Sequence, residues 1–141
     1  MVILVIDGQG GGLGKQVISS LKARFPEDEV IAVGTNSTAT LAMLKAGADR
    51  SATGENPVIV ASRRADVIIG PVGIVIADSM MGEITADMAV AVARSDAERI
   101  LIPVNLCNNQ VVGVPDLSLS VMIDGVISAV ARIKGRSLRT R

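Results

Sequence analysis

Between Asp7 and Lys15 the chain reads Asp-Gly-Gln-Gly-Gly-Gly-Leu-Gly-Lys, with five glycines in the seven residues from Gly8 to Gly14. Missing side chains let a backbone approach a phosphate closely. Where such a loop opens a helix, the first turn adds unbonded N–H groups and a partial positive charge of about half a unit. Three phosphate-loop spacings compete. G-x-x-x-x-G-K-[ST] fails at Gln9 and again at Gln16, where the hydroxyl for magnesium belongs. G-x-G-x-x-G starting at Gly8 meets Leu13 where its last glycine belongs, whereas G-x-x-x-G-x-G fits Gly8, Gly12 and Gly14. A tight strand-to-helix turn without a ligand needs one or two glycines. Five cost conformational entropy with no packing return, so phosphate or nucleotide binding is the favoured reading. Asp7 beside a phosphate is repulsive unless it caps loop N–H groups, binds a metal or accepts a hydroxyl; loop capping is favoured. Lys15 either pairs with phosphate or is a solvated first-turn lysine.

Three more polar or glycine-rich stretches follow apolar runs. Gly34-Thr35-Asn36-Ser37 offers three neutral hydrogen-bonding side chains and no carboxylate. It would tolerate a 2′-phosphate, a slight lean toward NADP over NAD, or it simply turns the chain and caps a helix. Gly70-Pro71-Val72-Gly73 ends a third run, and Asn105-Leu106-Cys107-Asn108-Asn109 a fourth. Asn105 could read a base or nicotinamide edge, or make an ordinary turn. Cys107 has no base to activate it and is expected to be reduced and buried. Asp78 and Glu83 flank Met80-Met81-Gly82; acid–base work is conceivable, but solvated positions at a helix end are favoured.

Composition removes whole classes of chemistry. The 141 residues contain no His, one Cys, no Trp, no Tyr and one Phe. Ser-His and Cys-His pairs, His-built metal sites, zinc clusters and internal disulfides are excluded, as is an aromatic platform for single-stranded nucleic acid. Lys+Arg and Asp+Glu both total 14. Five of the basic residues fall among the last ten positions, which hold no acid, so the rest is net acidic. That balance argues against nucleic acid as a partner. No apolar run reaches the roughly 20 residues that span a bilayer, and no basic-then-apolar leader opens the chain. A cytoplasmic protein away from membranes is the expectation.

The elements that must position these residues follow from periodicity. Val2 to Ile6 is a continuous apolar run, as in a strand buried on both faces. Leu13, Val17, Leu21 and Phe25 recur at helical spacing, predicting a helix from Gly14 to Phe25 that Pro26 stops. Glu29 to Val33 reads as a strand, Thr38 to Ala46 as a helix, Pro57 to Arg64 as a short helix and Asp66 to Gly70 as a third strand. Gly73 to Met81 is read as a short, nearly all-apolar helix. Thr85 caps a helix from Ala86 to Ser95, Arg99 to Val104 is a fourth strand, Val111 to Val114 a possible fifth, and Leu117 to Lys134 a closing helix. The alternation predicts an α/β fold. It would be a single Rossmann-like, doubly wound domain over residues 1–135 with a parallel sheet of four or five strands, followed by a disordered basic tail, 136–141. In such a fold all four polar stretches lie at the carboxyl edge of the sheet, where ligands bind.

The spacing of Gly8, Gly12 and Gly14 resembles the cofactor loop of the short-chain dehydrogenase/reductase family, over residues 1 to 38. The resemblance implies a pyrophosphate over Gly8 to Gly14 and a ribose near Thr35 to Ser37. Asp7 stands where that family has Thr, and its Tyr-x-x-x-Lys acid has no counterpart, so the binding half carries over and the dehydrogenase chemistry does not. Val5 to Gly14, Ile69 to Ile74, Gly82-Glu83-Ile84-Thr85 and Ile102-Pro103-Val104-Asn105 together resemble a family of short bacterial proteins known only as a domain of unknown function. That resemblance implies a Rossmann-like fold and no activity.

The sequence therefore predicts a small nucleotide-binding protein, NAD(P)-type by loop spacing, acting as a sensor or an enzyme. Alternatives are an enzyme using a mononucleotide or sugar phosphate at the same loop, or an assembly subunit whose glycines serve packing. A homodimer is expected, because an apolar helix over Ile74 to Met81 would need cover on every side.

Overall fold

A computed structural model describes residues 1–104, 106 and 108–139. Asn105 and Cys107, with the readings attached to them, lie outside the described residues. Five parallel strands, β1 (Val2–Asp7), β2 (Glu29–Gly34), β3 (Arg50–Thr53), β4 (Val67–Pro71) and β5 (Glu98–Ile102), form one sheet in the order β3-β2-β1-β4-β5. β1 runs down the middle, buried almost throughout, with Ile3 opposite Val30 on one side and Val67 on the other. The chain reverses direction across the sheet between β1 and β4, opening the crevice that doubly wound sheets use for ligands.

Helices α1 (Gly12–Arg24), α2 (Ser37–Lys45) and α5 (Leu119–Arg139) cover one face. Val17, Ile18 and Leu21 of α1, Met43 of α2, and Ile123, Val126 and Val130 of α5 meet Ile3, Val5 and Ile69 there. Helices α3 (Glu55–Ser62) and α4 (Ala86–Arg94) cover the other. Val58, Met88 and Val92 pack on Leu4, Ile6 and Ile68. No helix among the described residues is long and apolar enough to cross a membrane.

Three expectations are corrected. The fifth strand is β3, Arg-Ser-Ala-Thr on the sheet edge, rather than Val111 to Val114, which forms no strand and leaves Val112 96% exposed. Gly73 to Met81 is no helix: a 3₁₀ turn, Val72–Val75, drops Ile74 into the core, and further turns follow. No uncovered apolar helix is left there to call for a second copy. Finally, α5 continues through Arg139, so positions 136–139 of the expected loose tail are helical, and Arg136 donates twice to the Glu98 carboxylate, at 2.8 and 2.9 Å. Lys134 anchors the same helix on Glu27 and the buried Asp28.

Candidate functional site

β1 delivers Asp7 to the carboxyl edge, where its two oxygens accept the N–H groups of Gly8 (2.8 Å) and Gly14 (2.7 Å). The carboxylate thus clips both ends of the loop together. Burial pushes its pKa above the ordinary Asp range, against those two hydrogen bonds, and the facing Glu83 pushes the same way. Between the clipped ends, Gln9 and Gly11 take φ of 49° and 74°, and Gly11 N–H donates to the Gly8 carbonyl at 2.9 Å. At Gly11 the left-handed backbone and a Cβ that would stand 2.7 Å from Ala39 Cα both require glycine.

The other glycines divide sharply. A Cβ on Gly14 would stand 2.5 Å from Met43 Sδ, and one on Gly8 2.6 Å from Thr35 Oγ1 and 2.7 Å from Met80 Cε. Gly10 and Gly12 have nothing within 4 Å of the corresponding position. Gly12 opens α1, and among the described residues the N–H groups of Gly10, Gly12 and Leu13 take no protein acceptor. Lys15 is exposed on the same turn, at a shallow cleft shared with Thr38, Leu41, Ala42 and Lys45 of α2.

The end of β2 is not neutral, as its own residues suggested. Glu83 reaches it from the segment before α4. Its Oε1 accepts Thr35 Oγ1–H at 2.5 Å, Asn36 Nδ2–H at 2.8 Å and Gln9 N–H at 3.0 Å. The Thr35 bond leads in holding its pKa below the usual Glu range; partial burial opposes it, and the Gln9 and Asn36 bonds add to the lowering. Oε2 takes no partner among the described residues. Asn36 also caps α2 through Ala39 N–H and donates to the Gln9 carbonyl, tying loop to strand end, while Ser37 is exposed. Asp78 is exposed, and among the described residues no hydrogen bond joins its side chain to Glu83.

Glu83 is the residue that sequence reasoning undervalued. It was legible as half of a conceivable acid pair with Asp78 and within Gly82-Glu83-Ile84-Thr85, but not as a partner of the β2 end, since no periodicity marks a side chain presented by turns. The presenting segment is unusual: Asp78, Met80, Met81 and Gly82 all have positive φ, three of them without glycine's freedom. Asp78 N–H to the Ile84 carbonyl (2.8 Å) and Ser79 Oγ–H to the Gly73 carbonyl (2.5 Å) hold it closed. Beneath it, Gly70 and Gly73 pack tightly on Ile6 and Ser79, and Pro71 and Val72 lead the chain from β4 into the 3₁₀ turn.

A family model described as Domain of unknown function (DUF3842) matches residues 2–135. The chain belongs to that family. Its description assigns no activity. No curated protein matches the chain. Among solved structures it is similar to a dodecameric FMN-dependent UbiX-like decarboxylase from Escherichia coli O157:H7, 19% identical over 94% of this chain and 76% of that one, with a TM-score of 0.44.

Proposed function

We propose that this chain binds a nucleotide at the carboxyl edge of its sheet. The phosphate would lie on the N–H groups of Gly10, Gly12 and Leu13, and the ribose hydroxyls would donate to Glu83 Oε2. The observation that carries the reading is the split polarity of the site. Open backbone donors stand at one end of the loop. At the other stands a carboxylate whose first oxygen is saturated by three donors. A bare inorganic anion would suit only one end, whereas a ribose phosphate suits both. The spacing of Gly8, Gly12 and Gly14 favours an NAD(P)-type dinucleotide, and the charge on Glu83 favours NAD over NADP, because a 2′-phosphate would meet it. A second reading, a mononucleotide or sugar phosphate, is supported by Met80 over Gly8 and Ser79 over Gly73, which cover the β4 side of the crevice.

Calorimetric titration with NAD, NADP, ADP-ribose and AMP tests this directly. NAD is expected to bind at least about tenfold tighter than NADP, a difference of about 1.4 kcal/mol. AMP matching NAD selects the mononucleotide reading. Gly12→Val leaves the fold intact, since nothing crowds that position, and abolishes binding. Unchanged affinity in that variant would remove the loop from the site.

A further inference from the structure

The outward side of α3 and α4 is unlike that of a solvated helix pair. Met88, Ala89 and Val92 of α4 face the core. Asp87, Val90, Ala91 and Arg94, spaced i, i+3, i+4 and i+7, form one stripe on the outside. Its middle is apolar, with Val90 43% exposed, and its only charges stand at opposite ends. Neither Asp87 nor Arg94 takes an ion-pair partner among the described residues. Beside it α3 repeats the order: Glu55 opens the helix, Ile59 stands in its middle, and Arg63 follows its end. Thr85 Oγ1–H donates to Glu55 at the two helix starts, and Ser95 Oγ–H to the Ser62 carbonyl at the two ends, so the helices run side by side in the same direction. The face is therefore acidic at one end and apolar in the middle, and at the other end Arg63 and Arg94 outnumber Asp96. A groove of about 510 Å³ runs along it, with Ile59, Val90 and Ala91 in its walls.

We infer that this face is the contact between two copies of the chain. α4 of each lies antiparallel on α4 of the other, about a two-fold axis at Val90 and Ala91. Seven residues of helix separate Asp87 from Arg94 by about 10 Å. Antiparallel pairing then sets each Asp87 against the Arg94 of the other copy, twice over by symmetry. Ala91 lets the helices approach closely, and the apolar middle excludes water between the two pairs. Sign reversal along the stripe is what selects a second copy: a partner of uniform charge, or a parallel pairing, would set like charges together.

Sedimentation equilibrium over a concentration series tests the inference, with circular dichroism confirming folding of each variant. Wild type is expected to be a dimer at micromolar concentration. Arg94→Asp and Asp87→Arg each set like charges together twice and are expected to raise the dissociation constant about 100-fold or more. The double variant D87R/R94D recovers dimerisation to within about tenfold, because the pairs re-form with signs exchanged. A monomeric wild type, single variants that dimerise normally, or a folded double variant that stays monomeric would each overturn the inference.

Discussion

Within the glycine loop, one set of positions is hemmed in by the protein and another stands open. Gly8, Gly11 and Gly14 press against Thr35 and Met80, Ala39, and Met43, where a methyl group would come closer than 3 Å. Gly10 and Gly12 face empty space. The crowded set explains itself: strand, loop and two helix starts are drawn together so tightly that side chains are excluded. The open set has no such reason, and there the missing side chains leave backbone donors accessible. One residue type thus serves two purposes within seven positions, and only contacts in space tell them apart.

Substitution should separate the two sets. Gly14→Val drives two methyl groups into the buried Met43 side chain and Asp7, and is expected to destabilise the fold by about 3 kcal/mol or more. Gly12→Val, two positions away, should change stability by less than about 0.5 kcal/mol. Denaturant melts of both variants make the comparison; equal losses would erase the distinction.

Asp7→Asn sharpens it at the hinge between the sets. Asn supplies one acceptor where two N–H groups converge and turns its own NH₂ toward the second. Leaving that donor unpaired should cost about 1–3 kcal/mol in a denaturant melt, reduced by the relief of burying no charge. A variant as stable as wild type would mean that the carboxylate does not hold the loop.

Glu83→Gln has a smaller expected effect than Asp7→Asn, about 1 kcal/mol at neutral pH, because the amide oxygen still accepts while the charge is lost. Its pH dependence is the sharper test. The folded-state pKa of Glu83 lies below the ordinary value of 4.5. Its carboxylate therefore stabilises the fold fully above that value, and the contribution fades as pH falls through the lower folded-state pKa. The melting-temperature gap between wild type and E83Q should hold from pH 7 to about 5 and narrow toward pH 3. Asp7, with its raised pKa, acts in the opposite sense, since its contribution declines as pH rises through the folded-state value, so the variant comparison is needed to isolate Glu83. A gap that widened in acid would reverse the assignment.

Much of the fold was legible because hydrophobic periodicity reports burial. The runs Val2 to Ile6 and Glu29 to Val33, and the spacing of Val17 and Leu21, led directly to β1, β2 and α1. β3 was not legible: four residues on a sheet edge, none fully buried, carry no hydrophobic signal. Val111 to Val114 misled in the other direction, since its valines are exposed and pair with nothing in the sheet. In the site, the glycine loop was visible as composition. Glu83 stood out beside Asp78, but its reach to the end of β2 did not, because it depends on left-handed turns at Asp78, Met80 and Met81, residue types that do not announce such a backbone.

The same turns set two neighbouring thioethers in opposite surroundings. Met81 points outward at 97% exposure, and Met80 lies at 4% between Gly8 and the core. Peroxide should convert the first to its sulfoxide rapidly and spare the second for as long as the segment stays seated. The pair forms a built-in gauge, with a reference that always reacts and a sentinel that reacts only when the cover over the glycine loop lifts.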